Sequence, residues 1–196
     1  MRKIKWFWWI GLLLIGFIAF QQVVKKTNVN PVHAVGDALD SLNGVVVYYN
    51  GGVGHVEERN TVDGYNIGLK YQCVEFVKRY YFQFYKHRMP DSYGHAKSFF
   101  QENREDGTKN TQRDLTQYTN PSKSKPQVGD LVVFDGTVWN EYGHVAIISA
   151  VTEKEIEIIQ QNPGPFAPSR EKFTLENNGT TWTILDDQLL GWLRKR

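Results

Sequence analysis

Cysteine is almost absent from this chain: 196 residues hold one, Cys73. A single thiol excludes an internal disulfide framework. It leaves the compartment open, because an exported enzyme that needs a free thiol would also avoid a second cysteine. Charge of one sign is lacking too. The 23 basic and 21 acidic side chains leave a net charge of +2. The basic residues are scattered, apart from those beside the N-terminal segment and the run Arg194-Lys195-Arg196. The balance itself argues neither for nor against nucleic acid, and no nucleic-acid partner is expected. Close histidine pairs are missing as well. His33, His55, His87, His95 and His144 form no HxxxH spacing, so a catalytic zinc is not expected. Disorder is excluded by composition, with 41% apolar, 14% aromatic and 22% charged residues. The length suits one domain plus an appendage.

The appendage is N-terminal. After the basic start Met1-Arg2-Lys3-Ile4-Lys5, residues 6–20 carry no charged or strongly polar side chain. Residues 4–24 make about 21 positions, close to the roughly 20 a helix needs to cross a bilayer. Trp6, Trp8 and Trp9 sit at one end of the run, where indole rings prefer the interface. More positive charge precedes the run than follows it at Lys25-Lys26. The positive-inside rule therefore places the N-terminus in the cytoplasm and the rest of the chain outside, as a single-pass protein. Val32-His33-Ala34 has the small residue of a cleavage site but lies far beyond the apolar run, so an anchor is expected. The expected organisation is an anchor over 1–26, a linker over 27–42 and one domain over 43–196.

Within the domain, Val45-Val46-Val47-Tyr48-Tyr49 reads as a strand ended by Asn50-Gly51-Gly52. Residues 57–70 show no period and read as irregular. A helical pattern begins at Cys73 and runs through 74–85, with Val74, Val77, Tyr81 and Phe84 on one face. Glu75 and Arg79 are spaced for an exposed ion pair. The aromatic density, with Phe76, Tyr80, Tyr81, Phe82, Phe84 and Tyr85, implies a deeply buried helix. A second short helix is expected over 94–102, and a polar surface loop over 103–125, of a kind that often forms a substrate lip. Residues 131–134, 145–148 and 155–162 then read as successive strands, with shorter ones at 172–175, 182–185 and 191–194. One helix followed by an antiparallel meander is an α+β arrangement.

A cysteine hydrolase needs a thiolate, an imidazole to hold and pass its proton, and a polar group to orient that imidazole. Cys73 stands at a loop-to-helix junction, where unpaired N–H groups and the helix dipole favour thiolate. His144 opens a strand after Gly143, and Gln160 and Asn162 end the next strand. If the two strands pair and the helix crosses them, thiol and imidazole meet, with either Gln160 or Asn162 in reach of the ring. His55 is the rival base. Its Gly-His-Val setting repeats that of His144, but no strand of similar strength follows.

Tyr71-Gln72-Cys73-Val74-Glu75-Phe76, Val128-Gly129-Asp130-Leu131-Val132-Val133-Phe134 and Gly143-His144-Val145-Ala146-Ile147-Ile148, in that order, resemble the cysteine, histidine-dependent amidohydrolase/peptidase (CHAP) family over residues 44–193. Gln161-Asn162 and Leu190-Gly191-Trp192-Leu193 resemble one branch, the amidase domain of bifunctional glutathionylspermidine synthetase/amidase. The resemblance implies a papain-like α+β fold, with a nucleophile helix packed on an antiparallel sheet, and amide cleavage through an acyl-thioester without a cofactor. It implies Cys73 as nucleophile, His144 as general base, and Gln72 with the Cys73 N–H as oxyanion donors. In that branch the histidine partner is a Glu, and here that position is Gln160; Gln160 or Asn162 would serve instead. The spaced aspartates of a calcium loop found in some phage relatives are missing, so no metal is expected. The expected substrate is an amide in peptidoglycan peptides, given the outward topology. The alternatives are a glutathionylspermidine-type amide, or an inactive module that only binds.

Overall fold

The computed structural model describes residues 3–196. Of the basic start used above to orient the chain, Met1 and Arg2 lie outside the described residues. The first element, α1 (Lys3–Lys26), is apolar on all sides over residues 6–20, which is what a run without charged residues gives whatever its helical phase. Its segment Trp8–Lys26 is long and apolar enough to cross a membrane, and no residue of it is fully buried, Val24 and Lys25 in the last turn being half-buried. A signal sequence has the same properties.

The domain is α+β. Its first strands, β1 (Ala38–Leu42) and β2 (Val45–Tyr48), form a two-stranded antiparallel sheet. Strand β1 thus falls inside the stretch expected to be a linker. A second hairpin joins β3 (Arg59–Val62) to β4 (Tyr65–Leu69), where the sequence reading expected irregular chain. The missed signal was Asp63-Gly64, both at positive φ (49° and 74°), a pair suited to a tight hairpin turn. The helix α2 (Cys73–Gln83) follows.

Eight further strands make one antiparallel sheet. They are β5 (Thr108–Asn110), β6 (Leu115–Thr119), β7 (Leu131–Phe134), β8 (His144–Val151), β9 (Glu155–Ile159), β10 (Arg170–Asn177), β11 (Trp182–Ile184) and β12 (Leu189–Arg194), in the spatial order β11-β10-β9-β8-β7-β12-β6-β5. Strands β7 to β11 are the expected meander. The last strand departs from it, crossing back to lie between β7 and β6. The loop expected over 103–125 contains β5 and β6, and Leu115, Thr116, Gln117 and Tyr118 are all buried. Polar residues hid this strand. The Gln117 amide is satisfied inside, accepting from Asn110 Nδ2 at 2.9 Å and donating to Gln101 O at 2.8 Å. The helix expected over 94–102 is a single 3-10 turn, Lys97–Phe99.

The face that α2 turns to the core is Phe76, Val77, Tyr80 and Tyr81, packed on Val133, Val145, Ile147, Ile159 and Leu193. Phe84, expected on that face, is 44% exposed, because the helix ends at Gln83. Each large apolar side chain so buried contributes about 1.5–3 kcal/mol. On the other face of the sheet Val132, Phe134, Ala146, Ile148, Ile158 and Trp192 form a second cluster. Alternation along β7 and β8 supplies both faces from the same short runs.

Glu75 and Arg79 are not an exposed pair. Glu75 is 2% exposed, and Arg79 Nε donates to its Oε1 at 2.7 Å. Asn60 Nδ2 and Gln161 Nε2 donate to the same carboxylate at 2.9 and 3.0 Å, and Arg79 Nη1 donates to Val46 O at 2.8 Å. A buried ion pair is tolerated only when its remaining donors and acceptors are met in this way. The network ties the first turn of α2 to β2, to β3 and to the end of β9, and so fixes where Cys73 stands.

Candidate active site

Cys73 is the first residue of α2. The preceding position is Gln72, in extended conformation (φ −80°, ψ 160°), whose side chain makes no capping bond. The N–H groups of the first turn are therefore left open toward the thiol. Cys73 keeps part of its surface open, yet protein atoms crowd the sulfur, and this burial pushes the thiol above its ordinary value. The backbone N–H groups of Val145, Val74 and Cys73 itself pull the other way but do not prevail. The helix terminus favours thiolate, and burial outweighs it here. The Val145 N–H also locates the sulfur, at the start of β8 beside His144.

The ring of His144 is oriented by Gln160. Its Nε2–H donates to Gln160 Oε1 at 2.9 Å. The direction of that bond is set by what lies behind. Gln160 Nε2 donates to Glu171 Oε2 at 3.2 Å and to Pro168 O at 3.4 Å. Both are acceptors, so the amide nitrogen must face them and the amide oxygen must face the ring. Nε2 then carries the proton and Nδ1 is the basic nitrogen. Burial draws His144 down to about 4, and the Gln160 bond offsets this only in part. With the thiol pushed up and the imidazole pulled down, both groups are neutral at rest.

Asn162, the other polar group considered for the ring, points elsewhere. Its Nδ2 donates to Gln72 Oε1 at 2.8 Å and to Val53 O at 2.9 Å, and its backbone is left-handed, at φ 59°. Its Oδ1 is buried without a partner. The Gln72 amide donates to His55 O at 2.6 Å and Val53 O at 3.3 Å, so its N–H groups face a loop and not the sulfur. His55 is held at that loop, 2.8 Å from Glu57 Oε1, whereas His144 stands next to Val145, whose N–H faces the sulfur. Glu171 was missed from sequence, and Gln161 was noted there without a role. Glu171 reaches Gln160 because β9 and β10 pair with Arg170 opposite Ile159, and no local pattern announces that register. Gln161, fully buried, bridges Gln72 O and Glu75 at 3.0 Å each and accepts from the Tyr48 N–H at 2.8 Å. No group of three or more potential metal ligands is present among the described residues.

Comparison with known proteins finds the CHAP domain over residues 60–162. The trypanothione synthetase of Crithidia fasciculata is 29% identical over 133 residues, which are 66% of this chain and 20% of that protein. The glutathionylspermidine synthase of the same organism is 30% identical over 138 residues, 65% of this chain and 19% of that one. The bifunctional glutathionylspermidine synthetase/amidase of Escherichia coli is 30% identical over 145 residues, 69% of this chain and 23% of that one. The chain thus spans about a fifth of the length of these relatives.

Proposed function

The chain belongs to the CHAP domain family, and from that membership and the geometry of its site we propose that it is a thiol-dependent amidohydrolase. The observation that carries this reading is the fixed tautomer of His144. With Nε2–H committed to Gln160, the lone pair of Nδ1 is the acceptor for the Cys73 proton. In the proposed reaction the S–H proton passes to Nδ1 as sulfur bonds to the amide carbon. The imidazolium returns the proton to the leaving amine, and water then hydrolyses the thioester. The Cys73 N–H, open at the helix start, supports the developing oxyanion. Gln72, occupied by Val53 and His55, serves as a brace for the helix start in the resting protein and joins the oxyanion site only if it turns.

In this reading, papain-like in its layout of helix, sheet and dyad, α1 is a membrane anchor and the domain lies outside the membrane. The substrate is an amide in peptidoglycan peptides. A glutathionylspermidine-type amide is the second reading, favoured by the similarity to the Escherichia coli synthetase/amidase.

The test uses the full chain in detergent micelles, incubated separately with peptidoglycan and with glutathionylspermidine, with mass spectrometry of the products. Cys73→Ala should abolish cleavage, and His144→Ala should lower it by about 10²–10⁴-fold, the usual worth of a general base. Alkylation of Cys73 by iodoacetamide should climb toward alkaline pH with no plateau near neutrality, as a neutral pair requires, and slow at neutral pH in His144→Ala. Absence of cleavage of both substrates, with alkylation indifferent to His144, would leave a module that only binds.

A further inference from the structure

The last turn of α1 is fastened to the domain. The Gly54 N–H donates to Lys25 O at 2.8 Å, and His55 Nδ1 lies 3.4 Å from Lys26 O. Gly52 lies so close that a Cβ there would stand 2.5 Å from Lys25 O. Just beyond the helix, Asn30 Nδ2 donates to Pro165 O and the Tyr49 hydroxyl donates to Asn28 Oδ1, at 2.8 and 2.9 Å. Residues 52–55 are therefore level with the end of the apolar helix, at the depth marked by Lys25 and Lys26, and Pro165 is tied to Asn30, four residues beyond it.

These same segments flank the active site. The carbonyls of Val53 and His55 hold Gln72, and Val53 also holds Asn162. Residues 163–167 continue directly from Asn162. Antiparallel pairing puts the start of β8, the end of β9 and the start of β10 at one end of the sheet, so His144 belongs to this end too. The loops that project from it carry exposed apolar side chains. Between β7 and β8, Val138 is 95% and Trp139 78% exposed; between β9 and β10, Phe166 is 71% exposed. At the opposite end the turns 152–154 and 178–181 contain no apolar side chain, and the turn 127–130 exposes only Val128, at 51%.

We propose that the active-site end of the domain rests on the lipid bilayer, with Trp139 and Phe166 at the boundary between headgroups and acyl chains. The proposal rests on the reading of α1 as an anchor and narrows the substrate class to amides presented close to the membrane surface. Amphipathic surface segments bind in this way through aromatic and aliphatic side chains set a few ångströms into the interface. Asp135 and Glu141, both exposed, flank the aromatic tip. The contact is therefore apolar, and does not call for anionic lipid.

The test uses the full chain with Cys73→Ala, so that one introduced cysteine can carry an environment-sensitive fluorophore in phosphatidylcholine vesicles containing spin-labelled lipid. Four positions are compared: Trp139→Cys, Phe166→Cys, Glu153→Cys in the opposite turn, and Ile15→Cys within α1. The expected result is that 139 and 166 lose most of their emission to a shallow spin label, 15 loses it to a deep one, and 153 keeps it. Unquenched 139 and 166 beside a quenched 15 would overturn the docking and leave the anchor standing. An unquenched 15 would overturn both. Quenching at 153 equal to that at 139 would overturn the orientation.

Discussion

Gln160 is the residue on which the chemistry of the site turns. An amide at this position orients the imidazole without lending it negative charge, in keeping with a His144 drawn down to about 4. Replacing it by a carboxylate would seem to strengthen the base. The structure says otherwise, because Gln160 Nε2 lies 3.2 Å from Glu171 Oε2. Two carboxylates so close share a proton. Gln160→Glu alone should therefore leave the acid limb of the pH–rate profile almost in place. Adding Glu171→Gln restores a donor behind the new carboxylate and should move that limb upward by about 1–3 pH units. Profiles of single and double variants that coincide would count against the relay. The sequence singled out Gln160 and Asn162 equally, since both end the same strand. What separates them is the left-handed backbone of Asn162 and a carboxylate 11 positions beyond Gln160, neither of which is a local pattern.

At the scale of elements, the start of α2 is held by close packing as much as by hydrogen bonds. Gly68, at φ 143°, closes β4 against the helix, and a Cβ there would lie 2.9 Å from Glu75 Cα. Gly68→Ala should push the first turn off its position and cut activity by about 10²-fold, the cost of an ångström-scale misplacement. Gly44→Ala is the control. It too has a positive φ (80°), with nothing within 4 Å of the added carbon, and should lose stability but keep its activity per folded molecule. Denaturant melts beside rate measurements separate the two effects. The elements that the sequence made legible were α2, the apolar runs of β2, β7, β8 and β9, and the shorter runs within β10, β11 and β12. Strands β5 and β6 escaped because Asn110, Thr116 and Gln117 are buried beside Leu115 and Tyr118 and break the apolar pattern, the Asn110 and Gln117 amides being satisfied by each other and by distant carbonyls. The hairpin β3–β4 escaped because its buried strand has Asn66 and Gly68 between its apolar residues.

At the scale of the whole molecule, the buried imidazole makes stability depend on pH. His144 is depressed from 6.5 to about 4 in the folded chain. Below pH 6.5 the unfolded chain takes up a proton that the folded chain refuses, so stability present above that value drains away until about pH 4. Between pH 7 and pH 5 the loss attributable to His144 is about 2 kcal/mol. His87, also depressed by burial, acts in the same direction and is retained in the variant. Denaturation curves of His144→Asn at the two pH values should therefore show a loss smaller by about 2 kcal/mol than in the parent. Equal losses would mean that His144 is not buried neutral.

The bond from Gly54 to Lys25 has a geometric consequence for the molecule. Between a helix and a domain joined by slack chain, rotation about the helix axis is free. Here the final turn is gripped, and helix and domain share one azimuth. Each residue added to or removed from α1 ahead of Lys25 would turn the domain by about 100° and shift it about 1.5 Å along the axis. The face that the domain presents is thus set by residue count in the helix, as the setting of a screw is set by its turns.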